Sequence, residues 1–550
     1  MEPHGGNTLG RPAAAIVMIA IFVLAVGCVL WPAGNPPLAT PEPTARGVVA
    51  ELPTATPAAV VTSPTVVASP DSVFVACPLE QQNAALRATS QPEWNRLPLW
   101  ACYDLELSLN PEEMTYTGQA RITLVNRAGR SLETLVFRLY PNAPLIYGGQ
   151  LSVIDAVVGG TAVTPTLFLS DQTALRLPLA DPLPAGEPVV VMLRFRGEVP
   201  VDFGGSDDVY GIFNADSERS VVTMANWYPL LAPWRDGTWY ATPVLGEGDA
   251  VVSEVALYRA RIMVPAGWHV VTGGTVVADR QVNGYHVYEV VTGPVRELTL
   301  VASPAYIRRE ATVGDVGVVH WGLEEGDVGW DEALDVARES MELFGATFGP
   351  YPYAELDVAA IPMRNAAGVE YPGLALIGAD LYTGADRSFL PVAVAHEVAH
   401  QWWYAVVGND VLQAPWQDEA LTTFSSLFYF EERRPTQFTR LYKGYEQYVR
   451  RVEQEARQQG QELPTIAQPL NAFVGRERAY GAIVYLKGAL FFYALRQELG
   501  DETFFRALRS YYEDYQYTIA PPGALLASFE DACGCQLDAL YREWGVADGN

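Results

Sequence analysis

The hydrophobic pattern of this 550-residue chain changes period once, and that change limits the architectures open to it. From about 98 to 320 apolar residues alternate with polar ones. Leu105, Leu107 and Leu109 interleave with Asp104, Glu106 and Ser108, and Leu193 and Phe195 with Arg194 and Arg196. A period of two marks half-buried strands. Turn formers such as Asn110-Pro111, Pro141-Asn142 and Pro184-Ala185-Gly186 interrupt them often, which predicts an antiparallel saddle or sandwich. Near 330 the pattern becomes helical. In 331–348 the residues Leu334, Ala337, Met341, Phe344 and Phe348 fall on one stripe. Helical segments, including 489–518 and 522–545, follow to the end. The expected fold class is a multidomain α+β chain, with a β domain over 73–325 and a mostly α-helical domain over 326–550.

The first 72 residues are of another kind. Residues 13–31 (AAAIVMIAIFVLAVGCVLW) form an uncharged apolar run. As a helix it would be about 28 Å long, close to the hydrocarbon thickness of a bilayer. Residues 1–31 therefore read as a membrane anchor, or, through Ala25-Val26-Gly27-Cys28, as a bacterial lipoprotein signal. Residues 32–72, rich in Pro, Thr, Ala and Val, read as a semi-rigid spacer. Either reading places the rest of the chain outside the cytoplasm, attached to the cell membrane. There Cys77 and Cys102 are the expected disulfide pair, and Cys533-Gly534-Cys535 is too close for an easy bridge. The 36 basic against 64 acidic residues give a net charge of −28, and Lys occurs only at 443 and 487. Such a surface binds phosphate poorly, so nucleic acid is not an expected partner.

Two of the six histidines stand close together in 388–408 (SFLPVAVAHEVAHQWWYAVVG). Ser388 can cap a helix there, Pro391 fits its first turn and Gly408 can end it. His396 and His400, at i and i+4, lie one above the other, so both imidazoles can reach one ion. Glu397 lies to one side, placed to act on a water. Residues 415–431 read as the next helix, and Glu419 on it can complete a His-His-Glu set. Such a set suits zinc and leaves a fourth position for water, although other divalent metals accept the same donors. A single histidine in an apolar helix is usually a core residue. Two histidines and a glutamate there are costly to bury without a task.

These residues resemble the gluzincin pattern of the M1 metallopeptidases, a family that includes aminopeptidase N and leukotriene A4 hydrolase. The likeness extends over about 100–545. Phe348-Gly349-Pro350-Tyr351-Pro352-Tyr353 resembles the family's FGxYPY segment, and His400-Gln401-Trp402-Trp403 its HQWF. Trp416-Gln417-Asp418-Glu419-Ala420 stands in place of WLNEG, and Tyr485-Leu486-Lys487-Gly488-Ala489 is similar to YxKGA. The resemblance implies a thermolysin-like catalytic domain holding one zinc ion. It implies an oxyanion donor in Tyr485, with Tyr480 assisting.

It also implies that Gly368 and Glu370, in Ala367-Gly368-Val369-Glu370-Tyr371, occupy the place of GxMEN and bind substrate, Glu370 through its α-amino group. The family's second acidic anchor has no evident counterpart near Trp227-Tyr228-Pro229. Sixty-five residues follow Tyr485, which suggests an open cleft. The expectation is a membrane-tethered zinc aminopeptidase acting on peptides. The alternatives are a zinc endopeptidase and a non-catalytic cell-surface binding protein on a peptidase fold.

Overall fold

The computed structural model describes residues 79–91, 97, 99–248, 251–323, 329–383 and 385–546. The apolar run 13–31, the spacer 32–72, Cys28 and Cys77 lie outside these residues. Among the described residues no helix is long and apolar enough to cross a membrane.

The alternating segments form an eight-stranded sheet, whose spatial order runs Thr275–Val282, Tyr285–Val291, Leu257–Pro265, Ala101–Asn110, Thr115–Val125, Pro188–Glu198, Gln150–Val158 and Thr161–Val163. All neighbours are antiparallel except Ala101–Asn110 with Leu257–Pro265. The period of two is realised side by side. Leu105, Leu107 and Leu109 are buried while Glu106 is exposed, and Leu193 and Phe195 are buried while Arg194 and Arg196 face water. Two four-stranded antiparallel sheets and a two-stranded one, Trp234–Arg235 with Thr238–Trp239, complete this half. One of them, with Phe213–Asp216 and Val221–Met224, is buried along both strands. Aromatic rings knit the layers together, among them Tyr116 on Phe213 and Phe195 on Trp227.

A fifth, mixed sheet spans the point where a division between domains was expected. Ile307–Val313 and Val316–Gly322 form a hairpin whose second strand pairs in parallel with Glu355–Ile361. That strand pairs in parallel with Leu374–Gly378, and Gly368–Tyr371 closes the edge antiparallel. Helix Gly329–Thr347 packs on this sheet. It buries Ala333, Val336, Ala337, Met341 and Phe344, with Leu334 only half-buried. The hairpin at 307–322 therefore belongs to the helical half's sheet, although its alternation looks like that of the strands before it.

The helices depart from expectation where side chains or glycines demand it. The histidine helix is Leu390–Ala399, preceded by a 3-10 turn, and Ser388 does not cap it. It stops long before Gly408, because the next residues turn to bury two indoles. Trp402 Nε1 donates to the Gly349 carbonyl at 2.9 Å, and Trp403 Nε1 to Ser425 Oγ at 3.0 Å. The segment expected as one helix over 489–518 is two, Gly488–Leu499 and Asp501–Tyr515, parted by Gly500 at φ 75°. Likewise 522–545 breaks at Gly534 into Ala524–Cys533 and Asp538–Trp544. Both glycines hold the positive φ that ends helices. Cys533 and Cys535 are bridged, although a separation of two residues does not make for an easy bridge. Cys102 is also disulfide-bonded.

Candidate metal and peptide site

Three side chains from two helices converge. Pro391, in the first turn of Leu390–Ala399, leaves no needed N–H unmet. The apolar remainder of that helix is buried between the mixed sheet and helix Trp416–Arg433. His396 and His400 leave this helix on one face and meet Glu419 from the first turn of Trp416–Arg433. His396 Nε2 lies 3.2 Å from His400 Nε2 and 3.3 Å from Glu419 Oε2, and His400 Nε2 lies 3.5 Å from the same oxygen.

A tetrahedral ion with zinc–ligand lengths of about 2.0–2.1 Å separates its ligand atoms by about 3.3–3.4 Å. The three atoms therefore fit one face of such a tetrahedron. His400 Nδ1 is 3.1 Å from the Trp403 carbonyl oxygen and 3.2 Å from Thr422 Oγ1, the kind of support that fixes a ligating imidazole's tautomer and orientation.

The electrostatics suit a cation. Burial would raise the Glu419 carboxyl, but hydrogen bonding to both imidazoles holds it down at about 2. Burial also disfavours a charged His400, yet Glu370, Glu419 and Asp418 together raise its pKa well above the ordinary value. His396, with fewer acids near it, is pushed down by burial. Buried carboxylates around two imidazoles call for positive charge among them, whether a proton or a metal.

Glu397 and Glu370 line the same cleft as His396, His400 and Glu419. Burial, then the Glu370 charge, raises the Glu397 carboxyl well above the usual range. Its Oε2 makes no hydrogen bond within the protein. Gly368 makes room for it, since a Cβ there would come within 2.6 Å of Glu397 Cγ and Oε1. Glu370 sits on the edge strand Gly368–Tyr371, its Oε1 3.9 Å from His400 Nδ1. Burial raises it to about 7, against the pull of His400 and aided by Glu419.

Tyr485 lies in a π-helical turn, Gly481–Lys487, a form that recurs at functional sites. Its hydroxyl donates to Glu419 Oε1 at 2.5 Å, and its ring stacks on His396. Tyr480 packs edge-on against Tyr485 but is fully buried and does not line the cleft. Trp227 and Tyr228 are fully buried in the β half, away from the cleft. Among the described residues, the β half's contribution to the cleft is Ile146, Tyr210, Ile212 and Gly248, none of them acidic.

Several supporting residues escaped the sequence reading. Gln401 Oε1 accepts from Gly373 N at 2.8 Å and its Nε2 donates to the Tyr371 carbonyl at 3.0 Å, which braces the hairpin carrying Glu370. Asp418 Oδ1 is 3.7 Å from His400 Nδ1. Position beside the motif residues was the only signal for either. Ile146, on the cleft wall at φ 75°, is a β-branched residue in a conformation such residues rarely hold. Nothing in its sequence neighbourhood marks it.

A His-Glu-x-x-His helix, a glutamate on the following helix and a β domain laid against the cleft define a gluzincin-type metallopeptidase scaffold. Residues 332–544 match the peptidase family M1 domain. The chain is 30% identical over 231 residues to rice (Oryza sativa subsp. japonica) aminopeptidase M1-B, covering 40% of this chain and 25% of that protein. It is 26% identical over 483 residues to Arabidopsis thaliana aminopeptidase M1, covering 82% of this chain and 51% of that protein. The chain thus spans between a quarter and about half of these relatives. An M1 zinc metallopeptidase from Deinococcus radiodurans shares the fold, with TM-score 0.59 and 24% identity over 83% of this chain and 96% of its own.

Proposed function

We propose that the chain is a zinc aminopeptidase that removes N-terminal residues from peptides. The observation that carries this is the presence in one cleft of the His396-His400-Glu419 set, Glu397 and the carboxylate of Glu370. The relatives are named aminopeptidases, and the Deinococcus radiodurans enzyme has also been solved with a Tyr-Ser-Ala substrate.

His396, His400 and Glu419 would hold the ion. Zinc bound there would polarise a scissile carbonyl and bring the pKa of a water near neutrality. Glu397, with a carboxylate oxygen free of protein partners, takes the proton from the attacking water and delivers it to the departing amine. Tyr485 turns its hydroxyl from Glu419 toward the developing oxyanion. Glu370 pairs with the substrate's α-ammonium group and so sets the scissile bond one residue from the N-terminus. Gly368 lets Glu397 and the substrate share the narrow space beside the edge strand.

Residues 13–31 would tether the enzyme to the cell membrane, with 32–72 holding the catalytic part in the extracytoplasmic space. This part of the proposal rests on sequence alone.

The test compares a free-amino aminoacyl anilide with its N-acetyl counterpart, using the purified full chain with and without a zinc chelator. Chelator-sensitive cleavage of the free-amino compound alone is expected. Equal cleavage of both overturns the aminopeptidase reading in favour of an endopeptidase. Cleavage of neither points to a binding protein on this fold.

A further inference from the structure

Arg296 and Glu297, neighbours in the β half that do not line the cleft, are almost fully buried, at 2% and 1% exposure. The Arg296 guanidinium spends its donors on three backbone carbonyls. Nε donates to Tyr404 O at 2.7 Å, one terminal nitrogen to Ser253 O at 2.8 Å and the other to Thr518 O at 2.6 Å. Glu297 accepts from Tyr404 Oη at 2.5 Å and from Ser253 Oγ at 3.1 Å. Tyr404 is therefore gripped at its carbonyl and at its hydroxyl by adjacent residues. A Cβ on Gly408 would overlap the guanidinium, so glycine there permits the approach.

What is gripped is the turn behind a metal ligand. Tyr404 holds φ 152°, which a non-glycine residue adopts only under outside constraint. The turn closes with Ala405 N donating to His400 O at 2.9 Å. The carbonyl beside the His400 ring belongs to Trp403, whose peptide joins Tyr404. Displacing Tyr404 thus moves the group that orients His400.

We propose that Arg296 and Glu297 are positioning residues for His400: by holding Tyr404 at both ends they fix the strained turn whose Trp403 carbonyl aims the imidazole at the metal. The inference rests on the metal-site reading above. It makes the β half part of the metal centre's support as well as a wall of the cleft.

The test measures metal dissociation constants by chelator competition, and the visible spectrum of the cobalt-substituted protein, for the full-length parent, Tyr404→Phe, Arg296→Gln and Arg296→Lys. Loss of a partner behind a ligand typically weakens metal binding by about 10- to 100-fold, and that loss is expected for Tyr404→Phe and Arg296→Gln, with shifted cobalt bands and partial recovery in Arg296→Lys. If Arg296→Gln does not fold, Tyr404→Phe, which removes one hydroxyl, decides. Affinity within about twofold of the parent and unchanged bands in folded variants overturn the positioning role alone. A parent that binds no metal overturns the metal-site reading with it.

Discussion

Tyr485 donates its hydroxyl hydrogen to Glu419 Oε1 at 2.5 Å, while the other oxygen of the same carboxylate, Oε2, faces both imidazoles. One glutamate thereby ties the proposed oxyanion donor to the ligand set. Replacing Tyr485 by Phe is expected to lower kcat by about 100- to 1,000-fold, the usual cost of losing one oxyanion donor. Metal content should stay at the parent level, because Oε2 keeps its place. Steady-state kinetics beside elemental analysis check both parts.

Glu397→Gln removes the base and leaves the ligands. A fall in kcat of about 100- to 10,000-fold with unchanged metal content is expected. Gly368→Ala is a subtler probe of the same group, since its Cβ would press on Glu397. It should lower kcat while retaining metal, and normal turnover in either variant would remove Glu397 from the proton path.

Glu370→Gln separates recognition from chemistry. A hydrogen bond between charged groups is worth about 1.5–3 kcal/mol, so KM for free-amino peptides should rise by about 10- to 100-fold. Any residual activity on N-acetyl peptides should not fall. Equal loss on both substrates would mean that Glu370 serves the ligands rather than the amine.

His320 supplies a pH test outside the site. It is fully buried, its Nε2 2.9 Å from Tyr382 Oη, and burial pushes its pKa down to about 3. In the unfolded chain it takes up a proton near its ordinary value of about 6.5, whereas the folded chain resists until about 3. The unfolded state binds more protons in that window, so this residue's contribution to stability falls as pH drops through it. In His320→Gln the decline of Tm between about pH 6.5 and 4.5 should be shallower than in the parent. An equal slope would mean that His320 titrates alike in both states.

How far the sequence revealed these features follows from what each depends on. The ligands were legible because i, i+4 spacing on a helix is local geometry, and Glu419 because it lies in the first turn of Trp416–Arg433, the next helix in the chain. The alternation at 104–109 and 193–196 is equally local and appears residue for residue. The end of the histidine helix was not legible. It is set by Gly349 and Ser425, distant partners of Trp402 and Trp403. The membership of 307–322 in the helical half's sheet was hidden for the same reason, since pairing with 355–361 leaves no mark on alternation. Arg296 and Glu297 lie about 100 residues before the turn they hold, as their bonds to Tyr404 record.

The most direct test of the account is the metal content of the purified full-length chain by mass spectrometry, set beside that of Glu419→Ala. The account predicts one zinc per parent chain and background zinc in the variant, with cleavage lost in parallel. A parent without stoichiometric metal, or a Glu419→Ala variant that keeps it, would contradict the central claim that His396, His400 and Glu419 form the metal site.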